Sequence, residues 1–127
     1  MKRVTGIGGI FFKAKDPKAL GEWYRKHLGI DVQDWGGAIF PWNAEGKPHV
    51  TGVTLWNVFS TSEHLAPSTA PFMINYRVED LHTLLSLLRA EGCAVDAKVE
   101  ASEYGKFGWV MDPEGNRIEL WEPPADS

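Results

Sequence analysis

One cysteine, Cys93, is all that this chain of 127 residues carries. That excludes an internal disulfide and a cysteine-built zinc cluster, and it leaves Cys93, beside Gly92, as an expected small core or strand residue. Basic runs are short as well: 13 Lys and Arg stand against 17 Asp and Glu, for a net charge of −4, and no basic run exceeds two residues. The electrostatic footprint of a nucleic-acid binder is therefore missing. Long apolar runs are also absent. The N-terminal stretch 7–12 is broken by glycines and ends at Lys13, too short for a signal segment or a membrane span. The expectation is a soluble cytoplasmic protein with neither nucleic acid nor membrane as partner.

What the chain has in excess is aromatic and glycine residues: six Trp, six Phe and thirteen Gly. A length of 127 residues supports one domain, 1–127, and so one core. The aromatics exceed what a minimal core needs and are expected partly on the walls of a cavity, with Trp35, Phe40, Trp42, Trp56, Phe107, Trp109 and Trp121 as candidates.

The order of elements repeats. Residues 7–15 alternate as a strand apolar on both faces. Asp16-Pro17 then offers an N-cap and a first-turn proline, and Leu20, Trp23, Tyr24, His27 and Leu28 form a helical stripe stopped by Gly29. Short strands follow at 30–33, 38–42 and 50–59. After a linker at 60–71, rich in Ser, Thr and Pro, comes a strand at 72–78, and Asp80 then caps a stripe of Leu81, Leu84, Leu85 and Leu88 that ends at Gly92. Strands at 93–99, 106–111 and 117–121 complete the chain, the last two joined by the turn 112–116. The cap, stripe and glycine recur with an offset of about 64 residues, which implies an internal duplication. The expected fold is α+β: two βαβββ modules, about 1–62 and 70–127, whose free sheet faces meet in an open eight-stranded, barrel-like cleft.

With these elements in place, the segment 15–29, the segment 75–81 (Asn-Tyr-Arg-Val-Glu-Asp-Leu) and the ending 112–123 (Asp-Pro-Glu-Gly-Asn-Arg-Ile-Glu-Leu-Trp-Glu-Pro) resemble the vicinal oxygen chelate superfamily, the glyoxalase/bleomycin-resistance/dioxygenase fold. The resemblance implies a divalent metal held by His, Gln or Glu from the first and last strand of each module. Counted from the capping aspartates, those positions fall on Gly9, on Met73, near Trp56 and Asn57, and on Glu119. Only Glu119 suits such a metal. No metal or other cofactor is therefore expected at these positions, and a small-molecule-binding homodimer is the leading expectation. A metal-dependent lyase, isomerase or dioxygenase using Glu119 with His49 or His64 is one alternative, and a non-catalytic dimerisation module is another.

Strand parity supplies a site without a metal. Met73, Asn75 and Arg77 share one face of their strand, and Arg117, Glu119 and Trp121 share one face of theirs. A carboxylate turned into an apolar cleft needs a partner. Asn75, Arg77 and Glu119 are accordingly expected to form a polar cluster that orients an amphipathic or aromatic ligand against Trp56, Trp109 and Trp121, with Glu119 as the candidate catalytic residue. His27 is expected to be a packed or boundary residue, and His82 a solvated one. The turn 112–116 is assigned no chemistry.

Overall fold

A computed structural model describes residues 2–43, 52–60 and 65–125 of the chain. The strand β1 (Val4–Lys13) leads into the helix α1 (Pro17–Leu28), whose first turn is closed as its sequence dictates. Asp16 Oδ1 accepts from the Ala19 amide at 3.0 Å, Pro17 takes the first position, and Gly29, at φ 68°, ends the helix in the left-handed conformation. The strands β2 (Gly37–Pro41) and β3 (Val53–Phe59) follow. The second half runs β4 (Phe72–Val78), α2 (Leu81–Ala90), β5 (Ala94–Ser102), β6 (Gly105–Met111) and β7 (Arg117–Glu122), with Asp80 capping α2 through the Thr83 amide.

All seven strands form one open mixed sheet in the order β2-β3-β1-β4-β7-β6-β5. β1 pairs in parallel with β3, β4 in parallel with β7, and β1 and β4 are antiparallel at the centre. The expected eight strands are thus seven among the described residues, because 30–33 is not a strand. The Val32 carbonyl accepts from Arg25 Nη2 of α1, Val32 is 6% exposed, and a Cβ on Gly21 would lie 3.4 Å from it. This segment packs against the helix, and its backbone hydrogen bonds go there and into a local turn in which the Gln33 amide donates to the carbonyl of Gly37, the first residue of β2.

Both helices lie on one face of the sheet. Leu81, Leu84 and Leu85 of α2 pack on Val78, Val110 and Leu120, and this is the main apolar core. Burial of each such side chain is worth about 1.5–3 kcal/mol. α1 is seated less deeply. It packs over β3 through Tyr24, whose ring lies 5.1 Å from Trp56 and 6.0 Å from Phe12, while Trp23 and Leu28 of the expected stripe are half or more exposed. His27 is exposed rather than packed, its ring tilted by 43° against Trp23 with the centroids 5.1 Å apart, and His82 is exposed as expected. Cys93 is exposed too, which corrects its expected place in the core: it precedes β5, where its amide closes the end of α2 on the Leu88 carbonyl.

The turn between β6 and β7 is organised by Asp112. Its carboxylate accepts from the Asn116 side chain at 2.9 Å and from the amides of Glu114 and Asn116 at 2.8 and 2.9 Å, and these bonds, the Asn116 side chain first, hold its pKa below the usual carboxylate value. A lowered folded-state pKa adds stability above the unfolded value near 3.9, and that contribution is lost as pH falls through the folded value. The stability difference between wild type and Asp112→Ala should therefore shrink as thermal melts are taken from pH 5 down to pH 2. A constant difference would show that the charge plays no part.

Candidate ligand site

On the sheet face away from the helices, pairing lines up one row of residues. Leu55 of β3 lies opposite Gly9 of β1, Gly9 opposite Asn75 of β4, Asn75 opposite Glu119 of β7, and Glu119 opposite Trp109 of β6. Three side chains of this row join. Asn75 Nδ2 donates to Glu119 Oε1 at 2.6 Å, and Trp109 Nε1 donates to Glu119 Oε2 at 3.0 Å. All three are buried, at 2%, 7% and 4% exposure for Asn75, Glu119 and Trp109. Burial penalises the carboxylate charge, and the two N–H donors, one on each oxygen, offset that penalty.

Local sequence makes this arrangement reachable. Between Ile7 and Gly9 the pairing of β1 with β4 shifts register, and at that irregularity a Cβ on Gly8 would fall on Asn75 Oδ1 and 2.9 Å from Trp121 Cε3. A glycine here lets the Asn75 amide lie over the β1 backbone with its nitrogen turned toward Glu119.

Aromatic and cationic groups surround the row. Trp121 stacks on Phe107 at 6.3 Å with an interplanar angle of 10°, and its Nε1 donates to the Tyr104 carbonyl at 2.8 Å, which fixes the ring. The Arg77 guanidinium lies 5.3 Å from the Trp42 ring centre. Arg117 sits 5.0 Å and Lys98 5.9 Å from the centre of Trp109. The structure thus brings together Asn75, Glu119, Trp109 and Trp121 of the expected site, with Arg77 on the same face over Trp42. Trp56 is not among them: its ring packs on Phe12 at 5.3 Å and on Tyr24, beneath α1 and on the opposite face.

Other features escaped the sequence reading. Leu65, in the linker between β3 and β4, is 1% exposed and packs with Met73 and Trp109, flanked by Phe11, Phe59 and Phe107. A single leucine in a Ser- and Pro-rich segment carries no periodicity to mark it. Two surface cavities, of about 630 and 310 Å³, lie elsewhere, one lined by Ala14, Trp23 and Tyr24 and the other by Val4, Tyr76, Leu84 and Leu88; neither is lined by Glu119.

The sequence profile of the glyoxalase-like domain matches residues 9–121. The chain belongs to this family. Family membership places it in the vicinal oxygen chelate superfamily, and solved structures share its fold. Methylmalonyl-CoA epimerase from Mycobacterium tuberculosis is 20% identical, covering 99% of this chain and 93% of that one, with a TM-score of 0.67. Methylmalonyl-CoA epimerase from Streptomyces coelicolor, in complex with 2-nitronate-propionyl-CoA, is 18% identical over 96% and 99% of the two chains, with a TM-score of 0.70. A glyoxalase/bleomycin resistance protein/dioxygenase superfamily member from Vibrio splendidus 12B01 is 15% identical over 93% and 99%, with a TM-score of 0.61. No curated protein sequence matches the chain.

The metal that the family resemblance implies can be tested against the row itself. Register puts Asn75, not Met73, opposite Glu119, and Leu55, rather than Trp56 or Asn57, opposite Gly9. Read across the four strands, the donors are one carboxylate and one amide whose nitrogen is committed to that carboxylate, beside a glycine and a leucine. This set does not fit a three- or four-ligand N/O site. Among the described residues no three His, Cys, Asp or Glu side chains converge on a common point. His49 and His64 lie outside the described residues.

Proposed function

We propose that the protein binds a small amphipathic, aromatic molecule on the helix-free face of its sheet, with Glu119 as the polar anchor and no metal at that residue. The observation that carries this reading is the buried Glu119 carboxylate held by Asn75 and Trp109 on the face that also carries Trp121. A carboxylate accepts from N–H and ammonium donors, so a ligand that carries such a group suits it. Trp121 and Phe107 present ring faces for stacking, Arg77 sits over Trp42 at the next step along β4, and Trp56 serves packing under α1. A homodimer fits the same reading, supported by an apolar strip of Val4, Ile7, Ile10 and Phe72, each more than 40% exposed on the central strands. Light scattering at twice the 14.2 kDa chain mass would bear this out.

Tryptophan fluorescence tests the ligand reading, with benzylamine as the probe. Wild type should show saturable quenching, and Glu119→Gln should weaken it about tenfold, the loss of one charge-assisted hydrogen bond. Equal affinity in the two proteins would overturn the anchor role. Elemental analysis of protein purified without a metal-affinity tag tests the rest. Near-stoichiometric Zn, Mn, Fe or Ni that is lost in Glu119→Gln would favour the metal-dependent enzyme instead.

A further inference from the structure

We infer that the Leu65 side chain fills the apolar half of the ligand site and sets the length of molecule that the site accepts; this rests on Glu119 being the polar anchor. Leu65 is a linker residue, yet at 1% exposure it is more deeply buried than the strand residues it touches, Met73 at 3% and Trp109 at 4%. Among the described residues, Phe11, Phe59 and Phe107 pack against the cluster that Leu65 forms with Met73 and Trp109. Trp109 joins this pocket to the anchor, because its ring packs in the Leu65 cluster while its Nε1 is bonded to Glu119. Leu65 and the carboxylate are therefore one indole apart on the same sheet face.

The backbone at residues 65–68 is tied down on that face. Arg117, stacked over Trp109, donates from Nη1 to the Ala66 carbonyl at 2.7 Å, and the Ser68 amide closes a turn on the Leu65 carbonyl at 2.7 Å. The leucine is thus held in place by contacts at its own backbone as well as by packing. The ligand class that follows is compact: a ring with an N–H group and no long tail. Truncating Leu65 should admit a tail, since each added methylene that enters the vacated space contributes about 0.8 kcal/mol.

The test compares benzylamine, 4-butylbenzylamine and butylbenzene as probes of wild type, Leu65→Ala and the Leu65→Ala/Glu119→Gln double variant. In Leu65→Ala, 4-butylbenzylamine should bind about tenfold more tightly than in wild type, or more, while benzylamine stays within about twofold. Butylbenzene should shift the Trp109 indole N–H signal in the ¹H–¹⁵N spectrum of Leu65→Ala but not of wild type. Adding Glu119→Gln should weaken 4-butylbenzylamine and leave butylbenzene unchanged. A folded Leu65→Ala whose Trp109 signal ignores butylbenzene overturns the role of Leu65. Amines indifferent to Glu119→Gln while butylbenzene still moves Trp109 overturn the anchor, and with it the claim that the space belongs to a ligand site. If Leu65→Ala does not fold, Leu65→Val should shift Trp109 in the same direction by a smaller amount, and no shift there also overturns the inference.

Discussion

Replacing Glu119 with alanine should lower the free energy of unfolding by about 2–5 kcal/mol. The loss is dominated by the groups left behind: Asn75 Nδ2 and Trp109 Nε1 each donate to one carboxylate oxygen, and both donors are buried. A buried donor without an acceptor costs about 1–3 kcal/mol, and two are created at once. Glu119→Gln should fall between alanine and wild type, because its one carbonyl can accept from Asn75 or from Trp109 but its amide nitrogen then faces the other donor. Adding Trp109→Phe to Glu119→Ala should cost less than the sum of the two single changes, since the second removes a donor that the first has orphaned. Urea titrations followed by far-UV circular dichroism measure wild type, the three single variants and the double variant. A Glu119→Ala variant within about 0.5 kcal/mol of wild type would show that the network is not formed.

Gly105→Ala should cost about 2–4 kcal/mol, through strain rather than lost contacts. Gly105 opens β6 at φ 115°, a conformation that L side chains rarely adopt. A Cβ there would also meet the Glu122 carbonyl of β7 inside van der Waals contact and lie 2.8 Å from Trp121 Nε1. Relief requires movement of the β5–β6 hairpin, which carries the Tyr104 carbonyl that orients the Trp121 indole. Near-UV circular dichroism should therefore lose part of its tryptophan signal along with the drop in thermal midpoint. A variant with unchanged midpoint and unchanged near-UV spectrum would contradict both the backbone conformation and the placement of Trp121.

Much of the secondary structure was legible because its signals are local. Asp16-Pro17 and Gly29 bound α1, Asp80 caps α2, and Asp112 to Asn116 form the turn between the last two strands. The stripe of Leu81, Leu84 and Leu85 meets the core as its spacing demands. Short-range composition alone makes segment 30–33 look like a strand, whereas the competing bond from Arg25 to the Val32 carbonyl has no local signature. For α1 the periodicity was present but the depth of burial was not, since Trp23 and Leu28 have no second layer above them.

For the site, residue order alone encodes parity. Alternation along a strand puts Asn75 with Met73, away from Tyr76 and Val78, and Glu119 with Trp121, and the structure keeps Asn75, Glu119 and Trp121 on one face. Which residues meet is set by how the strands pair. The pairing of β4 with β7 sets Asn75, two residues on from Met73, opposite Glu119. The irregularity at Gly8 gives the Asn75 amide its room, and Leu65 arrives from a linker with no period at all. Trp56 illustrates the same limit: its strand is apolar on both faces, so alternation separates Trp56 from Leu55 and Asn57 without saying which face α1 will cover. A period of two residues tells which side chains share a face, whereas register is fixed by contacts between strands 44 residues apart, and no local pattern encodes that choice.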